Sequence, residues 1–160
     1  MKTKSTARTI EGLRSFKGTL ISIRMSANDN SESISIIEHR MPMGEATPLH
    51  IHRNEDEIFH LLHGRIRFDI DGKTVVAQAG DIIVAPKLKP HRFRVESVDG
   101  AHCLTIMRGK DFESMVMQMS APATTDIMPY AQAPTPEMID ALVAACSRHC
   151  IDIVGPPLAA

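Results

Sequence analysis

Within "GEATPLHIHRNEDEIFHLLHG", Gly44 to Gly64, three residues have the types and spacing to hold a metal: His50, His52 and Glu57. On an extended strand, residues 50 and 52 leave the same face with Cβ atoms about 7 Å apart. Both imidazoles can then reach one cation lying roughly 2 Å from each nitrogen. Beyond "RNED" the chain restarts as a strand at Glu57, and a hairpin-like return brings that carboxylate opposite the pair. A wet turn between two strands explains "RNED". It does not explain two histidines set between the apolar neighbours Leu49 and Ile51.

The elements that must position these residues are read from periodicity. "TLISIRM", "SISIIEHRM", "EIFHLLHG", "RIRFDI", "KTVVAQA", "DIIVAP", "HRFRVES" and "HCLTIM" are short period-two runs cut by turn residues, which predicts strands. Asp71-Gly72 is the strongest hairpin signal, because a type I′ turn needs two residues that accept positive φ. Short strands at regular spacing imply an all-β sandwich, barrel or jelly roll rather than a parallel α/β sheet. After Arg108 the period changes. "DFESMVMQMS" sets Phe112, Met115, Val116 and Met119 at helical spacing, with Asp111 able to cap the first turn. "TPEMIDALVAACSRHC" predicts a second helix with Thr135 as N-cap and Pro136 at the first helical position. The expected layout is one domain over residues 1–160. It comprises a solvated N-terminal arm (1–18), a β-barrel core (19–108) and a helical C-terminal cover (109–160) whose apolar tail, "IDIVGPPLAA", docks on the barrel or a partner.

Bulk properties exclude several functions. A net charge of −1 gives no field to gather nucleic acid or an anionic membrane. No run approaches the length needed to span a bilayer, and "MKTKSTARTIEG" lacks the apolar stretch of a secretory signal. Three cysteines make no disulfide framework, so a reducing, cytoplasmic setting is expected. Cys146, His149 and Cys150 share a helix face and could be drawn as a metal cluster with Cys103, but free cysteine packs as a small hydrophobe and no fourth ligand lies nearby. There is no Gly-x-Ser-x-Gly elbow, phosphate-cradling glycine loop or Cys-x-x-Cys. His60 has the opposite parity to Glu57 and should face away from it. His63 lies six residues on, about 20 Å along a strand. His39 and His102 are placed at strand ends with no partner.

The spacing Gly44, five residues, His50-x-His52, four residues, Glu57, six residues, Gly64 resembles the first motif of the cupins at every defined position. Gly80, five residues, Pro86 and then His91 resemble the second, although Leu88 stands where the family usually has glycine and Val95 where it often has asparagine. The resemblance runs from Ile36 to about Met107. "PLHIHRNEDEIFHLLHGRIRFDIDGK" and "RHCIDIVGPP" are similar to small bacterial single-domain cupins akin to quercetin 2,3-dioxygenase, with Cys150 where such relatives tend to have glycine. The resemblance implies a double-stranded β-helix, a jelly-roll barrel with short C-terminal helices, whose interior holds a metal through His50, His52, Glu57 and His91. Three imidazoles and a carboxylate suit one divalent transition metal (iron, manganese, nickel, cobalt, copper or zinc) and leave two octahedral positions open. Phe59 and Phe93, two residues beyond Glu57 and His91 on the same faces, would line the cavity around the cofactor. The implied function is a dioxygenase-type oxidoreductase for a small molecule, with Glu57 able to act as a base. A non-catalytic metal-containing binder and a metal-dependent isomerase or hydrolase remain open. A homodimer is expected, because cupins commonly pair through their sheets.

Overall fold

The computed structural model describes residues 11–160. Twelve strands and two helices follow in order: β1 (Leu13–Phe16), β2 (Thr19–Met25), β3 (Ile34–Met41), β4 (Pro48–His52), β5 (Glu57–His63), β6 (Arg65–Ile70), β7 (Lys73–Gln78), β8 (Ile82–Ala85), β9 (His91–Val95), β10 (Ala101–Arg108), α1 (Asp111–Met119), β11 (Ala121–Pro122), α2 (Pro136–Arg148) and β12 (Ile151–Pro157). They form two antiparallel sheets, a larger one ordered β11-β1-β2-β3-β10-β5-β8 and a smaller one ordered β12-β4-β9-β6-β7. The all-β fold expected from the period-two runs forms, as the jelly roll that the family resemblance implies.

Alternation decides which side chains go inside. Along β3 and β10 every second residue is buried, and along β5 Glu57, Phe59 and Leu61 point in while Ile58, His60 and Leu62 point out. The inner faces meet in an apolar core that includes Phe59, Leu61, Ile66, Phe68, Phe93 and Val95. Phe59, Phe68 and Phe93 pack with ring centroids 5.0 to 5.8 Å apart, tilted or edge-on as aromatic quadrupoles prefer. Asp71 (φ 51°) and Gly72 (φ 77°) make the predicted turn between β6 and β7.

Three expectations need correcting. Of the N-terminal arm, residues 1–10 lie outside the described residues, but from Leu13 the chain is not a solvated arm. β1 pairs with both β2 and β11, and Phe16 is buried. The cover is not wholly helical, because the tail forms β12 and extends the smaller sheet beside β4. Asp111 does not cap α1. The N-cap is Lys110, whose side chain makes no capping bond, and the carboxylate of Glu55 accepts from the Asp111 and Phe112 N–H groups at 2.9 and 3.0 Å. An anion from a distant turn thus meets the positive end of the helix. Thr135 caps α2 as expected, accepting from the Met138 N–H. Phe112, Met115 and Val116 of α1 are buried with Ala145 and Cys146 of α2 over Phe16, Ile21 and Ile37.

β12 contributes more than an edge. Ile151 is buried, Ile153 packs beside it, and Val154 is exposed. A chain ending at Arg148 loses that burial and leaves β4 without its outer neighbour, so its Tm should fall by at least about 5 °C, given ~2 kcal/mol for one buried isoleucine. Thermal unfolding followed by circular dichroism checks this; an unchanged Tm would show that β12 adds nothing.

Candidate metal centre

The site forms where the chain passes from one sheet to the other. β4 lies in the smaller sheet beside β9, and His50 and His91 are direct antiparallel partners, their ring centroids 4.3 Å apart. His52 is two residues along β4 on the same face, and Glu57 opens β5 in the larger sheet. One donor atom from each of the four residues lies within 4.8 Å of the others. His52, Glu57 and His91 are buried and His50 is nearly so.

Backbone carbonyls orient two of the rings. His50 Nδ1 lies 2.7 Å from the Pro48 carbonyl and His91 Nδ1 lies 3.1 Å from that of Lys89. A carbonyl only accepts, so in both rings Nδ1 carries the proton that is donated and Nε2 is turned toward the cluster. Glu57 Oε2 stands 3.0 Å from His91 Nε2, 3.3 Å from His52 Nε2 and 3.9 Å from His50 Nε2. The His52 nitrogen is out of line for a hydrogen bond, and both nitrogens of that buried ring lack a partner. Burial works against the charge on Glu57, but the imidazoles outweigh it and hold the carboxyl well below its usual range. Burial lowers the His50 pKa. At His91 burial acts in the same direction, but the hydrogen bond and charge of Glu57 reverse it and raise the pKa.

Three imidazoles converging on one carboxylate, one of them a buried ring without a hydrogen bond, fit a divalent cation: buried polar atoms without partners are rare, and coordination would satisfy His52. The arrangement is a metal-capable site built from His50, His52, Glu57 and His91.

Glu57, His50 and His52 open onto a cavity of about 80 Å³, also lined by Phe59, Phe93 and His39. The position of His39 corrects the expectation that it ends a strand without a partner. It is the sixth residue of β3, faces inward with Ile37 and Met41, and its Nε2 is 3.0 Å from Thr105 Oγ1. Burial pushes its pKa down to about 4, so it is neutral at ordinary pH. The parity of "SISIIEHRM" was the available signal. His102 pairs with Glu38 at 2.6 Å on the outer face. His60 faces outward and His63 is exposed; His149 bonds Gln118, and among the described residues no thiol joins a cluster. Burial raises the Cys103 thiol and takes Cys146 up to about 11, leaving both as inert packing groups.

"RNED" proves to be fixed at every residue. Arg53 Nε pairs with Asp152 at 3.2 Å, Asn54 donates to Asp111, Glu55 caps α1, and Asp56 accepts from the Lys87 N–H. Glu55 also stands 3.9 Å from His52 Nδ1, and a Cβ on Gly109 would run into its carboxylate.

The cupin domain family matches residues 37–107, the segment that runs from β3 through β10 and carries all four donors. The chain carries a cupin domain. The chain is 34% identical over 58 residues to an uncharacterized protein of Methanocaldococcus jannaschii, covering 36% of the chain and 46% of that protein. It is 33% identical over 54 residues to quercetin 2,3-dioxygenase of Bacillus subtilis, covering 34% of the chain and 16% of the enzyme. The chain thus spans less than half the length of either relative. Among solved structures, a predicted oxalate decarboxylase from Thermotoga maritima superposes with a TM-score of 0.53 at 22% identity, over 56% of this chain and 79% of the other, a likeness of fold. No helix among the described residues is long and apolar enough to cross a membrane.

The geometry separates the histidines into those that face the cluster and those that do not. His52→Ala should remove most of the divalent metal that the protein binds, whereas His63→Ala should leave it unchanged. Elemental analysis after dialysis against zinc or iron measures both, and equal occupancy in the two variants would refute the site.

Proposed function

We propose that this cupin is a metal-dependent, dioxygenase-type oxidoreductase acting on a small aromatic or enolisable molecule. The observation that carries the reading is the convergence of His50, His52 and His91 on Glu57 at the wall of a largely apolar cavity. The weak likeness to a quercetin 2,3-dioxygenase supports the reaction class. A divalent metal held by these donors would supply Lewis acidity and open coordination positions. The cavity is smaller than the roughly 300–1,000 Å³ of pockets for drug-sized ligands, which favours a single ring or a short diketone over a flavonol.

The chain's own part is binding, orientation and proton transfer. Phe59 and Phe93 form apolar wall beside the donors and exclude water from the reacting end. Glu57 is the one acid among the donors, and its carboxylate is the group placed to accept the proton that a phenol or an enolisable C–H must lose. Glu57→Gln keeps the shape and an oxygen but removes the charge. It should keep part of the metal and lose turnover by about 10² or more. Oxygen uptake with catechols, β-diketones and flavonols under several reconstituting metals is the test. Uptake unchanged in the glutamine variant would remove Glu57 from the proton chemistry. No uptake with any metal would favour a Lewis-acid isomerase, a hydrolase or a binder.

The protein's partners, in this reading, are its small-molecule substrate and a second copy of itself, and three unbridged thiols suit a reducing cytoplasm. The outer face of the larger sheet supports the pairing. Ile58 stands beside Val84 on one side and Ile106 on the other, Ile106 beside Ile36, and Ile82 and Val84 of the edge strand are exposed. A contiguous apolar sheet face of this kind marks an interface. Analytical ultracentrifugation should give a dimer for the native chain and a monomer for Ile82→Glu; a native monomer would exclude pairing through this face.

A further inference from the structure

The cavity lined by His50, His52 and Glu57 also holds an amine. Lys17 lines it together with Glu45 and Cys146. Lys17 sits in the two-residue turn between β1 and β2, where Phe16 pairs with Thr19, and its Nζ lies 5.7 Å from the Phe16 ring centroid. Among the described residues no carboxylate lies within 4.0 Å of Nζ. Lys17 is half-buried, and an ammonium partly withdrawn from water without a close counter-ion is costly, because the lost hydration is not replaced. Burial lowers the Lys17 pKa, opposed by Glu45, while burial raises that of Glu45. The two groups sense each other without forming a contact pair.

The backbone carries a second, independent sign. Lys17 (φ 49°) and Gly18 (φ 75°) form a turn of the type in which asparagine or aspartate ordinarily precedes glycine. A lysine adopts left-handed φ with more strain, and strain of this kind gathers at functional sites. At this turn the chain carries a residue whose long side chain brings a positive charge to the cavity wall.

We propose that Lys17 is the anion-recognition group of this cavity and that its ligand is a small organic carboxylate with a keto or enol oxygen toward the four-donor cluster. The carboxylate supplies the counter-charge that Lys17 lacks, in a charge-assisted hydrogen bond shielded from water. Only the placement of the oxygen rests on the metal-dependent reading; the anion contact stands on Lys17 itself.

Calorimetry with pyruvate and its uncharged counterpart, methyl pyruvate, tests this on the zinc-loaded protein and on the protein without added metal. Lys17→Asn removes the charge and suits the turn, so Tm should hold or rise. It should weaken pyruvate by about tenfold or more and leave methyl pyruvate unchanged. Lys17→Arg should keep the preference for the anion, and Glu45→Gln, which removes a competing carboxylate, should bind pyruvate at least as tightly as the native chain. The proposal is overturned if native protein fails to bind pyruvate, if Lys17→Asn binds it as well as native, or if that variant loses both ligands equally. Zinc uptake with no effect of Lys17→Asn would leave the metal centre standing and the anchor refuted. Loss of anion preference in Lys17→Asn without zinc uptake by the native chain would do the reverse.

Discussion

The structure depends on one constraint: a carboxylate must be buried against three imidazoles that come from the opposite sheet. Ionised groups are rarely enclosed, because hydration is lost and must be replaced by contacts of good geometry. Here the replacement requires β4 to end at His52 and β5 to begin at Glu57 with only four residues between two sheets. A shift of one residue in either strand would turn its donors to the outer face. The sheet crossing and the donor cluster are therefore the same piece of design.

That constraint accounts for features far from the donors in sequence. Glu55 cannot remain an exposed turn residue when the crossing is this tight, and α1 presents its free N–H groups to it. Gly109 then has to lack a side chain, since Glu55 fills the space. The cover over the cavity is anchored through the turn that sets Glu57, so the lid and the donors are positioned by one segment. Arg53 extends the same logic to β12 through Asp152.

What was legible in the sequence follows the range of each signal. Alternation in "EIFHLLHG" and "HRFRVES", the Asp71-Gly72 turn and the Thr135–Pro136 helix start are local, and each lies where expected. The donor spacing was legible because a strand face and a short return leave His50, His52 and Glu57 few other arrangements, whereas His91 entered only through resemblance to a family pattern. The misses are non-local. Nothing near Glu55 says that a helix begins 56 residues later at its carboxylate. β1 is four residues long among basic neighbours, and only its pairing with β2 and β11 makes it a strand. His39 differs: its parity with Ile37 and Met41 is readable in "SISIIEHRM", but a histidine among inward apolar residues needs a buried partner, and Thr105 lies 66 residues away.

The departures from the family pattern show how the site tolerates substitution. Leu88 replaces an expected glycine yet keeps a left-handed backbone, φ 65°, with its side chain out in solvent. Cys150, half-buried, likewise stands where glycine is expected and takes φ 58°. Each holds one backbone group at the end of β4: the Leu88 N–H donates to the His52 carbonyl at 2.8 Å, and the Cys150 carbonyl accepts from the Arg53 N–H at 2.9 Å. Left-handed φ costs a non-glycine residue about 1–2 kcal/mol. Both strained residues thus grip the two sides of one peptide group, the 52–53 amide that follows His52, where the chain must turn sharply toward Glu57. The glycines of the pattern make that grip cheap, but in this chain it is left-handed backbone at residues with side chains that supplies it.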